Sequence, residues 1–381
     1  GVLLSPGKAP AGTKRISNLL RSPKWLAQLI VDYLTEGARQ YVEGLLEVKR
    51  ELPLLLWDES VQEKTESVKS EGLCAVRSVK AKRALRVKPG YYLPPTREPV
   101  HVPGFRWVGL VCCGLRAQPM LACFKWWTSR GKQATSLEQV KLTLLLWARK
   151  VFGKDVLHVF DRGYASSKWL GLLLARTDRF LMRWPSRYRL VDVKGVLKNA
   201  YRFSVGRKAT SSRLVRDMVR KSAYRRSLVW MPCLHPDYPG FPLTLIICRP
   251  GRKGRQPWYL LTNEEVRSDR DAWRLVFAYS RRWQVEQAFR FNKAVMGMES
   301  CRLWFWENRM KLLQIVTLVY AFLLSLLVKE LQQAVSNLLR LGCHRAGKRC
   351  RNTPTPLYRI RLALANLFDE LSYYSRLQSS G

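Results

Sequence analysis

The sequence predicts a mixed α/β fold: a sheet with flanking helices, interrupted by a β-rich insertion, plus helical N- and C-terminal segments. Three observations predict it. Two short apolar runs, residues 52–57 and 156–160, each end at an aspartate, Asp58 and Asp161. Buried strands of open α/β sheets have this form where they deliver a polar residue to the sheet edge. Strand-like and helix-like stretches then alternate along the same region. From residue 185 the composition turns to Arg, Lys, Pro and Gly with short β-like runs, before helical patterning returns after residue 265.

The elements follow in order. Residues 1–50 open with a Pro/Gly/Lys stretch and then place Leu26, Leu29, Ile30 and Leu34 at helical spacing. They are expected to be a helical N-terminal segment, a truncated DNA-binding region, because the chain begins Gly1-Val2 without a Met. Residues 51–184 form the first part of the core. The run 52–57 is a buried strand closed by Asp58-Glu59-Ser60, and strands follow at 105–114 and 120–127. A helix at 136–152 opens with Ser136 and, three residues on, Gln139, a capping-box pattern. The strand 156–160 ends at Asp161-Arg162-Gly163-Tyr164, and a helix at 166–175 and a strand at 179–184 complete this part. Residues 185–265 are the basic, β-rich insertion. Residues 266–330 return to the core: a helix starts at Ser268 and continues through Arg290, and an apolar helix covers 312–328. Residues 331–381 form a C-terminal helical region, with an amphipathic helix at 356–377 after a basic turn.

Composition narrows the function. The 381 residues are 47% hydrophobic, enough for a packed core and against wholesale disorder. Lys and Arg number 67 against 28 Asp and Glu, a net charge of +39. That excludes an ordinary metabolic-enzyme surface and points to a polyanion, nucleic acid before an anionic membrane. Two basic runs add to this: residues 77–88 hold six cations in twelve positions, and residues 207–226 hold eight against Asp217. The apolar stretch 312–328 is 17 residues long and contains Gln314, Thr317 and Ser325, which predicts a core helix and no membrane span. Nine Cys include no CxxC pair, and the Cys343-His344 and Cys350 cluster has too few ligands for a zinc site. Adjacent Cys112 and Cys113 read as buried thiols, suited to a reducing compartment.

The segment with the most chemistry holds Tyr279, Arg282, Glu286 and Lys293. On a continuous helix these four share an arc of about 60°. Such spacing describes a salt-bridged surface stripe as well as it describes an acid flanked by bases. Asp58 and Asp161 supply two further acids, with Glu59 and Glu63 as alternatives to Asp58. Three carboxylates at one point stay ionised only around cations. Two Mg²⁺ ions about 3.5–4 Å apart would clamp the attacking and leaving oxygens of a phosphodiester. An oxygen-only donor set favours Mg²⁺, with Mn²⁺ as substitute, over Zn²⁺.

Tyr279-(2)-Arg282-(3)-Glu286-(6)-Lys293 resembles the Y-(2)-R-(3)-E-(6)-K signature of bacterial insertion-sequence DDE transposases of the cut-and-paste, hairpin-forming type. Asp161-Arg162-Gly163-Tyr164 resembles their second-Asp motif, Asp58-Glu59-Ser60 with Lys64 their first, and Trp258-Tyr259-Leu260-Leu261-Thr262 the strand before their last helix. The resemblance covers roughly residues 50–330. It implies an RNase H-like catalytic core with Asp58, Asp161 and Glu286 as catalytic and metal-binding triad. It further implies DNA contacts from Tyr279, Arg282, Lys293 and Arg162, with Trp258 either stacking on a flipped base or serving as a core residue. The partners implied are double-stranded DNA at transposon ends and target, and a second copy of the chain in a homodimer. The setting implied is the bacterial cytoplasm, at the nucleoid. A relative that binds DNA without transposing, and an RNase H-like nuclease without strand transfer, are the competing expectations.

Overall fold

The computed structural model describes residues 9–64, 69–78, 100–217, 222–251, 256–342 and 357–379. Two helices, α1 (Ala9–Arg21) and α2 (Gln28–Glu47), come first. The stripe that α2 buries is Leu34, Ala38, Val42 and Leu45, while Leu26 and Leu29 are exposed. The apolar face is thus set one turn later than the first leucines suggest.

Strand β1 (Leu54–Glu63) runs straight through Asp58, where the sequence predicts a stop. Its neighbours explain the extension. Parallel pairing with β5 covers only Leu54 to Leu56, whereas antiparallel pairing with β3 continues to Glu63 opposite Gly104. Asp58 therefore lies beyond the end of one ladder and inside the other. Strands β2 (Cys74–Arg77), β3 (His101–Cys113) and β4 (Met120–Trp127) follow. Helix α3 (Leu137–Phe152) starts as expected at Ser136, whose hydroxyl accepts from the Gln139 amide. Then come β5 (Leu157–Phe160), α4 (Ser167–Ala175), capped by Ser166, and β6 (Phe180–Arg183).

The basic segment from residue 185 holds β7 (Arg189–Val191), β8 (Leu197–Asn199), the short α5 (Ala200–Ser204), β9 (Ser211–Asp217), β10 (Ser222–His235) and β11 (Tyr238–Pro250). Strand β12 (Trp258–Thr262) returns from it and pairs antiparallel with β6. Among the described residues, twelve strands join one mixed sheet in the order β2-β3-β1-β5-β6-β12-β11-β10-β7-β8, with β4 on β3 and β9 on β10. The hydrogen-bonded ladder passes from β6 into the strands of the basic segment through β12.

The long helix expected from residue 268 is two helices, α6 (Asp269–Ser280) and α7 (Trp283–Ala294). At the junction the amides of Arg282, Gln284 and Val285 bond three residues back, to Tyr279, Arg281 and Arg282, which tightens the turn. The tighter turn sends adjacent side chains apart: Arg281 donates to the Ala117 carbonyl and Arg282 turns toward the acids. Helices α8 (Trp306–Ser325), α9 (Gln332–Gly342) and α10 (Leu357–Ser379) complete the chain. No single helix among the described residues is long and apolar enough to cross a membrane. Trp306–Ser325 and Lys329–Gly342 meet both conditions only together, across a 79° bend. Cys112 and Cys113 are buried, as expected, and the Cys343-His344-Cys350 cluster and most of the 77–88 basic run lie outside the described residues.

Both faces of the sheet are covered. Along β1, Leu54 and Leu56 join the cluster under α6, α7 and α8, and Leu55 and Trp57 the one under α2, α3 and α4. All four are fully buried, each contributing about 1.5–3 kcal/mol by removal from water. One close approach sets where α7 lies. A Cβ added at Gly109 of β3 would come within 2.6 Å of the Phe289 ring on α7. Gly109→Ala is therefore expected to cost about 1–3 kcal/mol through overpacking, with Phe289→Leu restoring part of it. Urea denaturation of the single and double variants measures both effects.

Candidate active site

The site starts from register. The parallel pairing aligns Leu54 with Leu157 and Leu56 with Val159. The same offset carries Asp58 alongside Asp161, just past the last paired residues. Strand alternation puts Asp58 on the face of Leu54 and Leu56, the face that α7 covers. Glu286, in the first turn of α7, arrives from above.

Arg282 joins the three. Its Nη1 lies 3.2 Å from Asp58 Oδ2, its Nε 3.9 Å from Asp161 Oδ1, and its Nη2 donates to Glu286 Oε1. Each nitrogen of one guanidinium thus faces a different carboxylate, and the Arg282 side chain is only 12% exposed. Burial pushes the Asp58 carboxyl up to about 7 against the pull of Arg282, with the charges of Glu286 and Asp161 adding to the rise. Tyr279 is buried and donates its hydroxyl to Asp161 Oδ1 at 3.1 Å. Burial first, and then the Asp161 charge, push that phenol well above its ordinary value.

The other sequence candidates fall around this centre. Lys293 donates to Ser60 Oγ at 2.7 Å, two residues along β1 from Asp58. Trp258 is half-buried, with the Tyr279 ring edge-on at 5.1 Å and the Arg226 guanidinium over its face at 4.0 Å. Arg162 is exposed in the turn after Asp161. Glu59 takes the opposite side of β1 and pairs with Lys141 at 2.6 Å, and Glu63 accepts from Ser78. Of the three acids on β1, Asp58 is the one at Arg282.

Sequence reasoning missed two contributors. Arg226 sits in a basic run that points to a polyanion, yet it is buried against Trp258; only the alternation of β10 hints at an inward side chain. Behind the acids, Trp57 donates its indole N–H to His158 Nδ1 at 3.0 Å, stapling β1 to β5 immediately before Asp58. The pairing of an aromatic and a histidine on adjacent buried strands carries no separate sequence signal.

The donor chemistry of the three acids, oxygen-only and grouped around one positive charge, suits a hard divalent cation. As arranged, Arg282 holds the space among them, and among the described residues no group of three His, Cys, Asp or Glu side chains is disposed to hold an ion.

Comparison with solved structures finds a similarity to piggyBac transposase in a synaptic complex with hairpin DNA. The identity is 13% and the TM-score 0.41, over 85% of this chain and 54% of that one. The chain spans about half the length of that protein. No family model and no curated protein matches this sequence.

The Trp57–His158 bond yields a pH prediction. Burial lowers His158 from 6.5 to about 3, so the folded chain keeps it neutral while the unfolded chain protonates it near 6.5. Between those values the unfolded state binds more protons, and stability contributed by this site falls as pH falls. The destabilisation caused by His158→Gln is expected to be largest at pH 7 and to shrink by about 2 kcal/mol at pH 5. Urea denaturation of both proteins across that range checks the slope.

Proposed function

We propose that the chain is a DDE-type transposase, cutting DNA at insertion-sequence ends and joining those ends to a target. One observation carries the proposal: Asp58, Asp161 and Glu286, from three separate parts of the chain, converge on a single guanidinium at the end of the parallel β1–β5 ladder. The signature around Glu286 supports the family. The strand order β4-β3-β1-β5-β6, with β1, β5 and β6 parallel and β3 reversed, supports an RNase H-like core.

Asp58, Asp161 and Glu286 would hold two Mg²⁺ ions, or Mn²⁺ in their place, which supply an activated oxygen nucleophile and neutralise charge on the phosphodiester. The rest of the task falls to the chain's own groups. Lys293, on the same side of β1 as the acids, presents an ammonium to the DNA backbone, and Arg162 a guanidinium from the exposed turn. Tyr279 fixes the Asp161 carboxylate through its hydroxyl. Trp258 offers a ring on which an unstacked base gains about 1–3 kcal/mol, a stacking surface that Arg226 covers from one side. The surplus of cations makes binding strong and salt-sensitive with little sequence preference. Pairing of two transposon ends calls for a homodimer, acting in the bacterial cytoplasm at the nucleoid.

A second reading, a relative that binds DNA without cutting it, draws on the position of Arg282 among the acids. The test separates the two. Glu286→Gln is expected to abolish metal-dependent cleavage and joining of DNA while leaving the binding constant within about threefold, because one carboxylate among many phosphate contacts contributes little to affinity. Nicking and strand-transfer assays read the chemistry and a gel-shift titration reads binding. A wild-type chain that binds and never cuts supports the second reading, and cleavage retained in Glu286→Gln removes the triad.

A further inference from the structure

We infer that Arg282 is the resident counter-ion of the three carboxylates and excludes divalent metal from them until it is drawn away. The inference rests on the reading of Asp58, Asp161 and Glu286 as metal ligands, and assigns Arg282 a role beyond contact with DNA.

Geometry carries it. A guanidinium is a broad, flat cation whose donors fan outward, and here three of its sides meet three different acids. Mg²⁺ is compact and takes oxygens at about 2.0–2.1 Å. With the guanidinium standing between them, the three acids form no ion-binding trio among the described residues. The two cations are alternatives for one set of oxygens.

Arg282 cannot step aside by losing its proton, since a guanidinium stays charged at every accessible pH. It leaves only by exchanging carboxylates for another anion, and the two non-bridging oxygens of a phosphodiester can take a guanidinium in the same bidentate fashion as a carboxylate. Arg282 stands in the turn between α6 and α7, at the N-cap of α7, and its i,i+4 pairing with Glu286 is the one carboxylate contact it makes within its own helix. Phosphate capture by Arg282 and entry of metal are then one coupled event, and the coupling is reciprocal. Arg282 acts here as a positioning residue: it sets when the acids become available. A chain without DNA keeps its cutting centre closed to metal.

The test is a Mn²⁺ titration of the full chain without DNA, with the unbound ion followed by electron paramagnetic resonance. Wild type, Arg282→Gln, Arg282→Lys and the double variant Arg282→Gln with Asp161→Asn are compared, and thermal unfolding checks that each is folded. Arg282→Gln is expected to bind Mn²⁺ at least about tenfold tighter than wild type, with that gain lost in the double variant. Arg282→Lys, whose single ammonium cannot face three acids, is expected to fall between them. It answers the question if the Gln variant does not fold. Equal affinity in wild type and both Arg282 variants, weakened by Asp161→Asn, overturns the exclusion while the acids remain metal ligands. No Asp161-dependent binding in any protein overturns the exclusion together with the metal reading.

Discussion

One guanidinium shared by three carboxylates is the constraint on which the rest of the structure depends. Like charges brought together in a partly buried site repel, and the arrangement persists because Arg282 stands among them. Each acid is held by a separate device. Asp58 is placed by the antiparallel ladder that carries β1 past its parallel neighbour, and Asp161 by the end of β5 and the Tyr279 hydroxyl. Glu286 is placed by α7, which lies close to the sheet because Gly109 has no side chain to hold it off. The segment that follows α7 is fastened too: Gln62 of β1 and Lys64 just past its end donate to the carbonyls of Met298, Glu299 and Cys301. β1 thus anchors both the first acid and the helix that brings the third.

The charge excess divides into two populations. Some cations are structural. Lys64 and Arg309 are buried and spend their donors on backbone carbonyls, and burial lowers Arg309 to about 10. Arg226 is buried against the Trp258 ring. Many of the other described cations are exposed, where salt screens them. A net charge read from composition cannot tell the two apart, because burial depends on strand alternation and on which carbonyls a fold leaves unpaired.

Apart from β2 (Cys74–Arg77), a four-residue edge strand that sequence reasoning missed, the order of strands and helices from residue 52 to residue 184 was legible because each element carries its own local signal: an uninterrupted apolar run, a capping serine, or a helical stripe. The Ser136 cap is the clearest case. What was not legible depends on partners distant in sequence. The extension of β1 through Asp58 needs β3, fifty residues away, and the break at Arg281 and Arg282 sends their side chains to acceptors on other parts of the chain. On a continuous helix Tyr279, Arg282, Glu286 and Lys293 share one stripe. In the fold they go to Asp161, to all three acids, to Arg282 and to Ser60. The residue types at the candidate site could be read from the sequence. That Arg282 faces inward, to acids instead of phosphates, could not, since either anion satisfies the same spacing.

The most direct test of the account is a crystal structure of the chain soaked with Mn²⁺ in the presence of bound duplex DNA, with anomalous scattering locating the ions. The account predicts anomalous peaks among Asp58, Asp161 and Glu286, with the Arg282 guanidinium moved off the carboxylates onto a backbone phosphate. Peaks elsewhere, with Arg282 still joining the three acids, would contradict it.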